Sequence, residues 1–192
     1  MPAHPIPPLA PLFVGDDLAL DFINSTFGVG QAHRDCFVDD AAVVAWLKQA
    51  GSLAEDVDAT PDGLLQLALQ LRDNARTLVD AATSGGYPDV SVVNRLLEAG
   101  HAPPQLKWGE ASRSFEVVRQ RRLDAASLLE PVAQAVVKLL TEPGLELVRQ
   151  CEAHDCTLMF RDLTKSRRRR WCSMAACGNR MKVAAFRARN KA

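Results

Sequence analysis

The sequence predicts an α+β protein: a mainly helical body over residues 1–150 with a few short strands, then a small module over residues 151–192. Three observations carry this. Apolar residues recur three and four apart over two long stretches, which buries one face of a helix. Short, partly alternating segments lie between turn-forming residues and fit strands. Four of the five cysteines and a strong excess of positive charge fall within residues 151–192.

In chain order, residues 12–27 run apolar, polar and apolar around Gly15, Asp16 and Asp17. Leu18, Leu20 and Phe22 alternate in part with Ala19, Asp21 and Ile23, which reads as a strand with a short helix as the competing reading. A loop with Gly28 and Gly30 follows. Asp39 or Asp40 can cap a helix carrying Val43, Val44, Trp46 and Leu47 and ending at Gly51. The clearest helix spans Pro61 to Ser84, with Leu64, Leu67, Ala68, Leu71, Ala75, Leu78, Val79 and Ala82 on one face and Gly85 and Gly86 ending it. A shorter helix covers Val90 to Glu98. After Pro103 and Pro104, segments 105–109 and 115–119 suit a hairpin. From Ala125 to Leu140 the apolar spacing is helical again, and Leu145 to Arg149 reads as a strand leading into Cys151.

The proline-rich start, Met1 to Pro8, lacks the basic and apolar regions of a secretion signal, and no stretch approaches a membrane span. The expectation is a cytoplasmic protein, where cysteines point to metal or reactivity before disulfides. The net charge of zero hides an inversion. Residues 1–150 hold 12 Lys and Arg against 20 Asp and Glu, a balance of −8, and residues 151–192 hold 11 against 3, a balance of +8. The basic segment therefore meets a polyanion or docks on its own acidic body.

The cysteines read as two pairs, Cys151 with Cys156 and Cys172 with Cys177, each with four residues between, separated by a fifteen-residue loop. Two short-spaced pairs can wrap one ion from two sides, and a four-thiolate shell is closed, which favours one structural Zn2+. An iron–sulfur cluster accepts the same donors, but the regular pairing favours zinc. His154 then stands as a solvent-facing bystander, and Cys36 as a small buried residue. Thr157 to Arg161 suits a strand, Lys165, Ser166 and Arg167 a turn, and Ser173 the cap of a last helix. The module's order is knuckle, β-hairpin, knuckle, helix.

Arg167, Arg168, Arg169 and Arg170 precede Trp171, and Arg180, Lys182, Arg187, Arg189 and Lys191 follow. Guanidinium groups match phosphate geometry and supply sequence-independent nucleic-acid affinity. Asn179, Arg180 and Lys182 are placed to reach a groove, where Asn and Arg suit adenine and guanine edges. Trp171 either stacks on a base or packs beside the metal.

The run from Trp171 to Arg180, containing Cys177, Gly178, Asn179 and Arg180, resembles the CGNR zinc-finger family, as do the first cysteine pair and the stretch Leu158 to Asp162. Gly15 to Ser25 and the pair Leu71 and Arg72 resemble that family's usual partner, the ABATE domain. The chain departs from the family turn at Thr164, Lys165 and Ser166, where four arginines follow directly. The resemblance implies a bacterial transcriptional regulator with a DNA-binding finger.

The leading expectation is therefore a zinc-containing DNA-binding regulator whose N-terminal body can sense an effector, with RNA binding or protein interaction by the zinc module as alternatives. Arg72, alone on an apolar helix, either meets an anionic effector or pairs with a carboxylate. An enzyme is not expected: His4, His33, His101 and His154 are scattered, and His33 near Cys36 is the nearest approach to a nucleophile pair. A homodimer is compatible with the small contact area of one finger.

Overall fold

Aspartates decide the conformation of the segment that opens the body. Asp17 accepts a hydrogen bond from the Ala19 N–H at 2.9 Å and starts α1, Leu18–Ile23. Asp21 turns back to accept from the N–H groups of Val14 and Gly15 at 2.9 and 2.7 Å. The segment is thus a helix and not the predicted strand. Ala19, Leu20, Phe22 and Ile23 are all buried, a spacing that a helix can bury together and an alternating strand cannot.

This is a computed structural model, and it describes residues 10–119 and 122–190. The proline-rich start with His4, and Lys191 of the basic tail, lie outside the described residues. After α1, a minimal hairpin pairs β1, Thr26–Phe27, with β2, Arg34–Asp35. Helix α2, Asp40–Gln49, is capped by Asp39, whose carboxylate accepts from the Ala42 N–H at 2.7 Å. Helix α3 runs Leu64–Ser84, beginning three residues later than Pro61 because Gly63 turns left-handed at φ +79° before it. Asp40 receives the Leu65 N–H at 2.5 Å, so one helix start supplies the cap of the next.

Helix α4, Ser91–Gly100, starts on Asp89, which accepts from the N–H and hydroxyl of Ser91. The expected hairpin is present as β3, Pro104–Gly109, against β4, Ser114–Arg119. Helix α5, Ala125–Thr141, is capped by Asp124 through the Ser127 N–H at 2.8 Å. Gly100 lies against α5 so closely that a Cβ there would meet the Ala126 carbonyl oxygen at 2.6 Å. The core forms where α1, α2, α3 and α5 converge, around Leu20, Phe22, Ile23, Leu47, Leu64, Leu71, Leu128 and Leu129.

The finger then builds directly on this body. A short 3-10 turn, Leu145–Leu147, precedes β5, Val148–Gln150, which pairs antiparallel with β6, Met159–Arg161. The first cysteine knuckle is therefore the loop of this hairpin. A π turn at Met174–Gly178 leads into α6, Asn179–Arg189. Ser173 caps the π turn that opens this helical run, accepting from the Ala176 N–H at 2.9 Å. No helix among the described residues is long and apolar enough to cross a membrane.

Candidate metal centre and basic surface

The hairpin β5–β6 and the π turn bring Cys151, Cys156, Cys172 and Cys177 together, with all four sulfur atoms within 4.8 Å of one another. Four sulfurs at tetrahedral corners, each ~2.3 Å from zinc, stand about 3.8 Å apart. The Sγ atoms of Cys156 and Cys172 already lie 3.9 Å apart. Three of the four cysteines are buried and Cys156 is half-buried. The donor set therefore fits one structural Zn2+ in a closed shell, with no ligand position left for water.

Local folding explains the grouping. The Cys151 N–H donates to the Leu158 carbonyl at 2.9 Å and the Cys156 N–H to the Ala153 carbonyl at 3.0 Å, closing the first knuckle. In the second, the N–H groups of Cys177 and Gly178 both donate to the Ser173 carbonyl, at 3.2 and 3.0 Å. The backbone at Gly178 lies close to its neighbours: a Cβ there would meet Met174 Sδ, the end of a flexible side chain, at 2.5 Å and Trp171 Cδ1 at 3.2 Å. Donors also face the sulfurs, the Cys172 N–H on Cys151 Sγ at 3.3 Å and Arg180 Nη2 on Cys177 Sγ at 3.4 Å. Such donors stabilise thiolate charge. The hydrogen bond shared with Cys172 pushes the Cys156 thiol down to about 5, while Cys172 is pushed up. His154 is exposed in the first knuckle and outside the sulfur cluster, as expected.

The arginines that look alike in the sequence divide into two groups. Arg169, expected on the basic surface, is turned inward with its side chain only 19% exposed. It pairs with Asp16, donates to the carbonyls of Val14 and Cys172, and lies 4.2 Å over the Phe160 ring. Arg170 pairs with Glu152 at 2.6 Å and covers Trp171 at 4.8 Å, and Arg180 pairs with Asp155. Trp171 is half-buried against the finger's apolar cluster, so it packs beside the metal site. Asp162, 1% exposed, accepts from the Thr164 hydroxyl and the N–H groups of Thr164 and Arg169. Each of the three acids in the basic segment is thus engaged within the finger. Their scarcity there was the signal in the sequence.

Lys165, Arg167 and Arg168 on the loop before Arg169, and Lys182, Arg187 and Arg189 on α6, are exposed and form no ion pair among the described residues. Arg167 sits in the left-handed region at φ +49°. A cleft of about 380 Å³ lined by Arg168, Arg170, Trp171, Ser173 and Met174 lies between this loop and the approach to α6. On α6, Asn179, Lys182, Val183, Phe186 and Arg187 follow spacings of three and four and share one exposed face.

In the body, Arg72 forms a two-pronged pair with Asp35 at 2.7 and 2.6 Å, adds the Ser25 hydroxyl at 2.9 Å, and lies over Phe37. It pairs with a carboxylate and is 6% exposed. Cys36 is buried and its thiol is pushed up to about 11 by burial, while His33 bonds the Thr26 hydroxyl at 2.9 Å. The two do not form a nucleophile pair. Asn24 joins body to finger from a buried position, beside the contacts of Arg169 with Asp16 and Val14 and of Arg76 with the Thr157 carbonyl. Its amide donates to the Met159 carbonyl at 2.7 Å and accepts from the Met159 N–H at 2.8 Å. A side chain so placed supplies the hydrogen bonds of a missing neighbouring strand.

Residues 16–143 match the ABATE family, described as "Putative stress-induced transcription regulator", and residues 148–190 match the CGNR zinc finger. No curated protein matches the chain.

Proposed function

The chain belongs to the ABATE family and ends in a CGNR zinc finger, and on that premise we propose that it is a DNA-binding transcriptional regulator of bacterial type. The observation that carries the reading is the division of the cations. Arg169, Arg170 and Arg180 brace the finger, which leaves Arg167 and Arg168 on the loop and Lys182 and Arg187 on α6 to meet phosphates. No side chain of α6 is fully buried and only Met181 packs on the finger's apolar cluster, so a groove can take the exposed face. Asn179 suits an adenine edge, and Val183 and Phe186 suit thymine methyl groups. Zinc serves as scaffold and the protein is not an enzyme. An effector would enter the body at the cleft of about 640 Å³ lined by Leu53, Val57, His101, Leu123, Glu130 and Gln134.

The test is binding of the zinc-loaded chain to mixed-sequence duplex DNA across a salt series. Four to six phosphate contacts give a slope of log affinity against log salt of about −4 to −5. The double change Arg167→Ala with Arg168→Ala should flatten that slope by about two. Absence of duplex binding at low salt overturns the reading. Preferential competition by single-stranded RNA would move it to RNA, and capture of an acidic protein in place of either would move it to protein interaction.

A further inference from the structure

The hairpin β3–β4 makes its own pairing but shares little else with the body. Its register sets Leu106 opposite Val117 and Trp108 opposite Phe115, so these four side chains stand on one face of a two-stranded sheet. All four are exposed, Leu106, Phe115 and Val117 by two thirds or more and Trp108 by 49%. The two rings pack edge to face at 5.1 Å, which holds them as a rigid surface. An isolated two-stranded hairpin is marginal in water, and an apolar face of this kind needs a cover.

We propose that this face is the interface of a homodimer, covered by the same face of a second copy. The four side chains themselves carry no charge: Lys107 and Glu116, paired across the strands, alternate to the other side of the sheet, and the register sets Arg119 opposite Pro104 at the end of the patch. Nucleic acid finds no cation among these four side chains. The patch exposes roughly 500 Å² of apolar side chain, so two copies together bury about 1,000 Å², the lower bound for a specific interface. It is also self-complementary. A two-fold axis through its centre lays the Trp108 and Phe115 end of one copy on the Leu106 and Val117 end of the other, as an isologous contact requires.

Sedimentation equilibrium of the zinc-loaded full chain, with no DNA present, tests the interface apart from the function proposed above. The expected result is a dimer. Phe115→Glu and, separately, Val117→Lys weaken it roughly 30-fold or more, as for a central interface position. Lys107→Ala on the opposite side leaves it intact. Mixing Phe115→Glu with Val117→Lys restores association, because the two charges then meet across the axis. Zinc content and helical circular dichroism, unchanged in each variant, exclude misfolding as the cause of dissociation. A wild-type monomer at all concentrations overturns the proposal, and so does a dimer that survives both charged substitutions. Wild-type monomers that bind vesicles of anionic lipid would overturn it in favour of a membrane surface.

Discussion

The body and the finger reach a folded state by different means. The body buries Leu20, Phe22, Ile23, Leu47, Leu64, Leu71, Leu128 and Leu129 completely where four helices meet. In the finger, Phe160 is the one large apolar side chain to reach full burial among the described residues, and the four sulfurs occupy the place of a core. A domain the size of the body is stabilised by removing apolar surface from water, whereas a segment as short as the finger needs a cross-link. The metal should therefore matter to one half of the chain and hardly to the other.

Removing zinc with a chelator, or replacing Cys172 by Ser, is the strongest way to break the comparison. Structural zinc binding in such modules is worth on the order of 10 kcal/mol of folding free energy. Limited proteolysis should then cut beyond residue 150 and leave a resistant helical body. A body that melts together with the stripped finger would show that the two halves are one cooperative unit.

Next in size is Arg72→Ala, which leaves Asp35 without its partner and should cost the body about 3–5 kcal/mol in denaturant titration with zinc content unchanged. Burial raises Asp35, but the Arg72 hydrogen bond, the Phe37 N–H and nearby positive charge outweigh it and hold the carboxyl below its usual 3.8. Its stabilising effect is thus present above that pH and fades as pH falls further. Arg72→Ala should remove this acid-side dependence.

Asn24→Ala probes the junction itself. It takes both hydrogen bonds from Met159 inside a buried contact, and a cost of about 2–3 kcal/mol is expected. Amide hydrogen exchange along β6 should rise most. If exchange stays slow while stability drops, the clamp serves the body alone.

The smallest expected effect belongs to Asp21. Burial, with the neighbouring Asp16 and Asp17 charges, raises its carboxyl to about 6 against the pull of the Gly15 and Val14 N–H groups. Below about 3.8 the group is neutral folded and unfolded, so its stabilising effect is complete there. Between 3.8 and 6 the unfolded chain ionises first, and stability falls as pH rises. Asp21→Asn keeps an oxygen for both N–H groups, so it should flatten this slope and gain ~1 kcal/mol at neutral pH.

The sequence was most legible where physics is local. Periodic leucines placed α3 and α5, Asp39 and Ser173 announced their caps, and the cysteine spacing gave the metal centre before any geometry was known. It was least legible where partners are distant in the chain. Six residues of α1 are too few to separate a helix from a strand by periodicity, and Asp17 and Asp21 decide the matter through hydrogen bonds to their own neighbourhood. Nothing local distinguishes Arg169 from Arg168, because what draws it inward is Asp16, far back in the chain. The role of Asn24 depends on Met159, 135 residues away.

That amide bears on how these modules can be recombined. Only residues 144–147 lie between the two matched spans, so the finger looks separable by its boundaries. Yet a finger grafted onto another protein from residue 148 leaves behind the group that satisfies Met159 on its outer edge. A working chimera would have to carry Asn24 and its helix along, or find a new neighbour for β6. For transplantation the natural unit is α1 together with the finger, two pieces that the chain writes at opposite ends.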